Sequence, residues 1–238
     1  MMSGLRIALA TLWSPRRALK DAADGRHFVW PLLLATLVSA GYTAILMPRV
    51  DWKAFAEKRL EALPPEELAK LTPHEREEKI ETVGKVQGVS AYASAVVGTS
   101  AVALVVALCL WLGFKVAGGT PGFVGTLAVS AASLLPGAIK SLLSIPALLK
   151  REGMEVEEVV TLLPSSLASL APEGTPMPQL SLLGSLDLFS IWAVVLIALG
   201  MAHVAKVSLL RSSLATGLLW AGYVLVFRFA LPSLTMSS

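Results

Sequence analysis

Three ionisable residues stand in stretches that are otherwise nearly free of charge: Lys140, Asp187 and Arg228. A charge held in hydrocarbon is costly, so each marks a candidate site for ion pairing, gating or proton movement. The apolar segment carrying Lys140 ends near Leu149, which puts the lysine about 13 Å from that end at 1.5 Å per helical residue. Asp187 lies about 8 Å into a segment that starts near Leu182. Arg228 stands close to the end of the last apolar segment. All three therefore fall in the same half of the membrane. In one reading Asp187 pairs with Lys140 or Arg228 and ties three helices together. In another the two cations snorkel separately to the surface while Asp187 caps the start of its helix. A third makes the group a transport or proton-relay site.

Other residues with chemical potential read more plainly. His203, beside Lys206, sits at the end of an apolar stretch as an interfacial residue rather than a metal ligand. His74-Glu75 opens like a zinc-protease motif, but Glu78 stands where the second histidine is needed, so the motif fails. The one cysteine, Cys109, permits no intrachain disulfide and reads as a small buried side chain. No phosphate-binding glycine loop, nucleophile elbow, paired-cysteine motif or transporter-like internal repeat is present. The expectation is no catalytic residue, no metal and no cofactor.

The elements that must hold these residues follow from composition. Of 238 residues, 55% are hydrophobic and 16% charged, with a mean hydropathy of +0.68. A soluble domain usually carries about 25% charged residues. A bilayer core about 30 Å thick needs roughly 20 apolar helical residues. Five stretches qualify, over about 28–48, 88–114, 122–149, 182–204 and 214–231. The expected fold is all-α: a polytopic membrane protein with five transmembrane helices plus amphipathic surface helices. Residues 1–27 form an amphipathic segment and 28–238 the membrane domain, which includes a helical loop over 49–87. The third span, broken by Pro136 and Pro146, is either kinked or split in two.

Outside the spans, Leu5, Leu9, Leu12 and Trp13 recur at helical spacing, and Ser14-Pro15 reads as the cap and first position of a second helix. Arg16, Arg17 and Lys20 would then face anionic head groups, or the helix packs on the protein's own loops. Trp52 and Phe55 are expected to dip into the interface. Thr72-Pro73-His74-Glu75 has the spacing of a capping box, and the Glu/Lys alternation after it suggests a solvated helix. Ser94, Ala95, Gly98 and Thr99 offer small-residue pairs for close helix contact.

Orientation rests on the basic residues. Arg6, Arg16, Arg17, Lys20 and Arg26 precede the first span, whereas residues 49–88 hold eight basic and nine acidic residues and 150–181 are net acidic. This predicts a cytoplasmic N-terminus, an uncleaved first span and, with five spans, an extracytoplasmic C-terminus. A bacterial inner membrane fits this pattern.

The run Leu186-Asp187-Leu188-Phe189-Ser190-Ile191-Trp192, followed by Val195 to Gly200, resembles the Yip domain family of Ypt/Rab-interacting membrane proteins, and is most similar to its bacterial branch. The matching motif residues are Asp187, Phe189, Trp192 and Gly200. Leu12-Trp13-Ser14-Pro15 and Gly118-Gly119 with Leu135-Pro136 resemble other parts of the family pattern. The resemblance implies five spans, a cytoplasmic N-terminus and membrane organisation rather than catalysis. Eukaryotic members bind prenylated small GTPases. The large charged loop and short N-terminal segment depart from that pattern and weigh against a GTPase partner here.

The leading expectation is a non-enzymatic scaffold or adaptor that binds other membrane proteins, or itself, or shapes the bilayer. The alternative is a small transporter or channel using the polar residues of spans three to five. An intramembrane enzyme would need an acid pair, metal or nucleophile set that the sequence lacks.

Overall fold

The computed structural model describes residues 4–61, 63–172 and 174–226. Arg228 lies outside them. The described chain is mainly helical, its helices joined by turns and short irregular segments, with two isolated bridges that pair Val50 with Met154 and Ser166 with Asp187.

Two short helices, α1 (Gly4–Ala10) and α2 (Pro15–Asp24), come first. Ser14 stands at the cap position of α2 but its hydroxyl makes no capping bond there. The helix is held instead by its apolar face: Ala18, Leu19, Ala22 and Ala23 are buried, and Leu19 packs with Ala132 and Leu196 from two later helices. So α2 packs on the spans themselves, with Arg16, Arg17 and Lys20 left exposed on its other side. In α1, Ile7, Ala8 and Ala10 are buried, while Leu9 faces outward, as does Trp13 beyond its end.

The first span is α3 (Val29–Leu46), prolonged by a single 3-10 turn to Arg49. A charged hairpin follows: α4 (Trp52–Glu61), the one-turn α5 (Pro65–Leu68) and α6 (Pro73–Ala93). Trp52 is anchored locally. Its Nε1 donates to the Met47 carbonyl at 3.0 Å, and its ring meets Phe55 edge-on at 5.9 Å. Thr72 and Glu75 form the capping box expected of them: the Thr72 amide donates to the Glu75 carboxylate at 2.8 Å and the Glu75 amide to the Thr72 hydroxyl at 3.3 Å.

From α6 the chain runs through a π turn, Ser94–Gly98, straight into α7 (Thr99–Val116). The result is one helix of 44 residues, about 66 Å long. The second span is therefore not preceded by a separate loop helix; capped at Thr72 and free of internal proline, the helix has no reason to stop at the membrane surface. Its buried stripe is Ala95, Ala103, Ala107, Leu110 and Phe114. Cys109 lies off that stripe and is exposed on the helix surface, contrary to the expectation of burial.

The third span is α8 (Phe123–Ser133) and α9 (Leu135–Leu148), which share one course with a break at Leu134. Pro136, lacking an amide proton, sits at the start of α9, where none is needed. α8 is the most buried element: Thr126 to Ser133 are all inside.

Beyond it come α10 (Val156–Thr161), a 3-10 turn at Leu167–Leu170 and α11 (Met177–Ser185). The fourth span, α12 (Leu188–Val204), starts at Leu188 rather than Leu182. Residues 182–185 belong to α11, because the chain breaks at Leu186-Asp187 to bridge Ser166: the Leu188 amide donates to the Ser165 carbonyl at 3.1 Å and the Leu167 amide to Leu186 at 3.3 Å. The last helix, α13 (Leu209–Tyr223), begins earlier than residue 214, with the Ser208 hydroxyl accepting from the Arg211 amide.

Among the described residues four helices are long and apolar enough to cross a bilayer, and α12, with 17 residues, is a shorter apolar helix beside them. Contacts between spans use both small residues and hydroxyls. A Cβ at Gly200 on α12 would stand 2.6 Å from a Val129 methyl of α8, so the two helices touch where the side chain is missing. Ser130 on α8 donates to the Ala103 carbonyl of α7 at 2.7 Å, and Ser212 on α13 to Ala198 of α12 at 2.6 Å. Such bonds do part of the work that water exclusion does in soluble cores. Both helix ends that face α8's start turn through left-handed residues: Arg26 after α2 (φ 56°) and Lys206 after α12 (φ 55°). Glycine normally fills that position, and any other side chain costs on the order of 1 kcal/mol.

Candidate functional site

The break before α12 places Asp187 at the cap of that helix instead of inside it. An N-cap carboxylate is useful because the first turn of a helix has amides with no partner. Asp187 Oδ1 accepts from the Phe189 amide at 2.7 Å and the Ser190 amide at 2.9 Å. Oδ2 accepts from Lys140 Nζ at 2.8 Å and from the Ser190 hydroxyl at 3.2 Å. Capping and pairing, set against each other as alternatives on sequence grounds, are thus done by the two oxygens of one carboxylate. Asp187 is 4% exposed, whereas the Lys140 side chain keeps 30% of its surface open.

Lys140 reaches this carboxylate from α9, where Ser144 bonds back to the Lys140 carbonyl at 2.8 Å. The pair joins the third span to the start of the fourth. A cleft of about 420 Å³ opens beside it, with Tyr42 of α3, Ser141 of α9, Ser185 of α11 and Trp220 of α13 on its walls. The polar character of this cleft comes mostly from serines, which sequence inspection passed over because isolated serines in apolar helices carry little signal.

The residues of the resemblance motif divide by role. Asp187 caps, Phe189 is buried near the cap, Trp192 packs against the Leu19, Ala132 and Leu196 cluster, and Gly200 admits Val129. These contacts tie α12 to α2 and α8 along its length. A model of the Yip1 domain matches residues 9–230. The chain belongs to the Yip1 domain family. It is an integral membrane protein of that family, and its motif serves to seat one span against its neighbours. No curated protein and no solved structure matches the chain.

At the other end of α12 a second, larger cleft of about 690 Å³ lies between α2, α8 and α12. His203 is part of its wall, with Nε2 at 2.9 Å from Asp24 Oδ1 of α2. That contact spans most of the sequence and was not legible from local pattern. His203 stands one residue before α12 ends.

Proposed function

We propose that this Yip1-domain protein is a non-enzymatic membrane scaffold or adaptor, and that the helix Pro73–Val116 carries the role. The observation that supports this is its length of 44 residues. At about 66 Å it is roughly twice the thickness of the hydrocarbon core. Its outer half is braced by α4, with Ala56 buried between them, yet no residue of α6 is itself buried. Lys58 of α4 bonds Glu155 at 2.8 Å and steadies the base of the hairpin against the segment before α10. A rigid, charged arm held away from the bilayer suits contact with another membrane protein.

In this reading the N-terminus is cytoplasmic, the arm extracytoplasmic, and the host a bacterial inner membrane. A small GTPase is not carried over from the wider family, because the arm is on the wrong side for one. The test is photocrosslinking from arm positions such as Glu78 and Lys85 in native membranes, followed by mass spectrometry. A recurrent partner that disappears when residues 64–85 are replaced by a short turn supports the reading. A partner retained without the arm, or none from any arm position, removes it.

The serine-lined cleft at Lys140 and Asp187 favours a second reading, a small transporter. It predicts that single cysteines placed along α9 react with a soluble maleimide. Uniform protection of those positions counts against it.

A further inference from the structure

The 690 Å³ cleft at the α2 end of the molecule has a composition that the scaffold reading does not use. Its walls carry Arg26, His203 and Lys206 against a single carboxylate, Asp24. Asp24 is already committed to His203 Nε2. Arg26 and Lys206 make no side-chain hydrogen bond or ion pair among the described residues, so two cations on one cleft stand without a counter-charge.

Their backbone sharpens the point. Arg26 and Lys206 are the two non-glycine residues with positive φ among the described residues, each turning the chain at the end of a helix. Glycine would relax both turns. Strain kept at two separate turns, both times under a long cation and both times on the same cleft, points to a use for the side chains. The volume lies within the range of pockets that hold small ligands. The cleft also lies where α8 begins and α12 ends, the level at which lipid head groups meet these spans.

We propose that this cleft binds a phosphate group, supplied by the head group of an anionic phospholipid or by a soluble phosphate. Arg26 offers a planar fork of donors and Lys206 a compact charge, a pairing suited to phosphate oxygens. His203, its ring held by Asp24, completes the polar wall beside them.

The experiment uses the full-length protein in nanodiscs of phosphatidylcholine containing one-tenth phosphatidylglycerol, with retained lipid counted by native mass spectrometry. Arg26→Gly with Lys206→Gly is the principal variant, because glycine relieves both turns and the fold should hold or gain stability. Arg26→Asn with Lys206→Asn is the second, since asparagine also tolerates this conformation. Each cation removed should weaken phosphatidylglycerol retention about fivefold, while thermal stability in pure phosphatidylcholine stays level or rises. A parallel arm measures unfolding of the detergent-purified protein in inorganic phosphate against chloride at equal ionic strength. Specific phosphatidylglycerol retention assigns the site to lipid; a phosphate-dependent rise in melting temperature without lipid retention assigns it to a soluble anion. Phosphatidylglycerol retention and phosphate response that are both unchanged in the two double variants overturn the proposal.

Discussion

Replacing Asp187 tests whether one carboxylate holds the start of α12 to the third span. Loss of an N-cap typically costs about 1 kcal/mol. A hydrogen bond to a charged partner adds about 1.5–3 kcal/mol, but Lys140 is 30% open and can turn partly to water, so the lower figure applies. Asp187→Ala should therefore destabilise by about 2–3 kcal/mol. Asp187→Asn keeps an oxygen for the Phe189 and Ser190 amides and loses only the charge, at about 1–1.5 kcal/mol. Lys140→Met leaves the cap intact and should cost about 1.5 kcal/mol. Because the two residues share one bond, the double change Asp187→Ala with Lys140→Met should fall short of additivity by about 1.5 kcal/mol. Steric trapping in bicelles reads these differences without leaving the lipid. Additive costs, or an asparagine variant as stable as the parent, would refute the bond as a stabilising tie. The charge swap Asp187→Lys with Lys140→Asp adds a harsher control: it should express better than either single change although the cap is lost, and a swap no better than the singles would remove the pair.

Three further outcomes follow from other contacts. Gly200→Ala should destabilise by about 1–3 kcal/mol, since its Cβ meets Val129 at 2.6 Å, and Val129→Ala in the same chain should restore much of the loss; thermal melting in detergent measures both. The Glu75 carboxyl is held below the ordinary carboxylate range by the Thr72 amide and hydroxyl. Its contribution to the α6 cap is present above the usual carboxylate pKa and is lost as pH falls through the depressed value, so the Thr72 amide proton resonance should move only in that acidic window. Thr72→Val should shift the transition upward, and a titration at the ordinary carboxylate value in the parent would contradict the capping geometry. Cys109, exposed on the apolar surface of α7, should resist a membrane-impermeant maleimide in intact membranes and react once detergent unfolds the protein; prompt labelling in intact membranes would place that face of α7 in water.

The spans were readable because a charge-free run of this length has one economical solvent, and the Thr72–Glu75 box because both partners lie three residues apart. The pairing of Lys140 with Asp187 was narrowed by depth alone, since only a few charges share that half of the bilayer. What hydropathy does not register is a helix break inside an apolar run. Leu182 to Leu186 look like span, yet the chain bends there to bridge Ser166, a contact no local pattern announces. The continuity of α6 with α7 was hidden for the converse reason: composition changes sharply near Lys85 while the helix does not. Helical facing was equally silent, so Cys109 could be placed in a span but not on a side of it. Arg26 and Lys206 escaped notice because a left-handed turn is ordinarily flagged by glycine.

The uneven lengths of neighbouring spans carry a consequence for the surrounding lipid. α12 is 17 residues, about 25 Å, and presents Leu188, Ile191 and Val195 outward as one stripe. A bilayer core of ordinary thickness exceeds the length of that helix by about 5 Å. Between Lys85 and Lys115, by contrast, the long helix offers an uncharged length of about 43 Å, more than the same bilayer can cover without tilt. Lipid on the α12 side would be drawn thinner while lipid beside α7 would be stretched or met by a leaning helix. Hydrophobic mismatch of opposite sign on two flanks would give the protein a preferred membrane thickness and favour thin or graded regions before any partner is met.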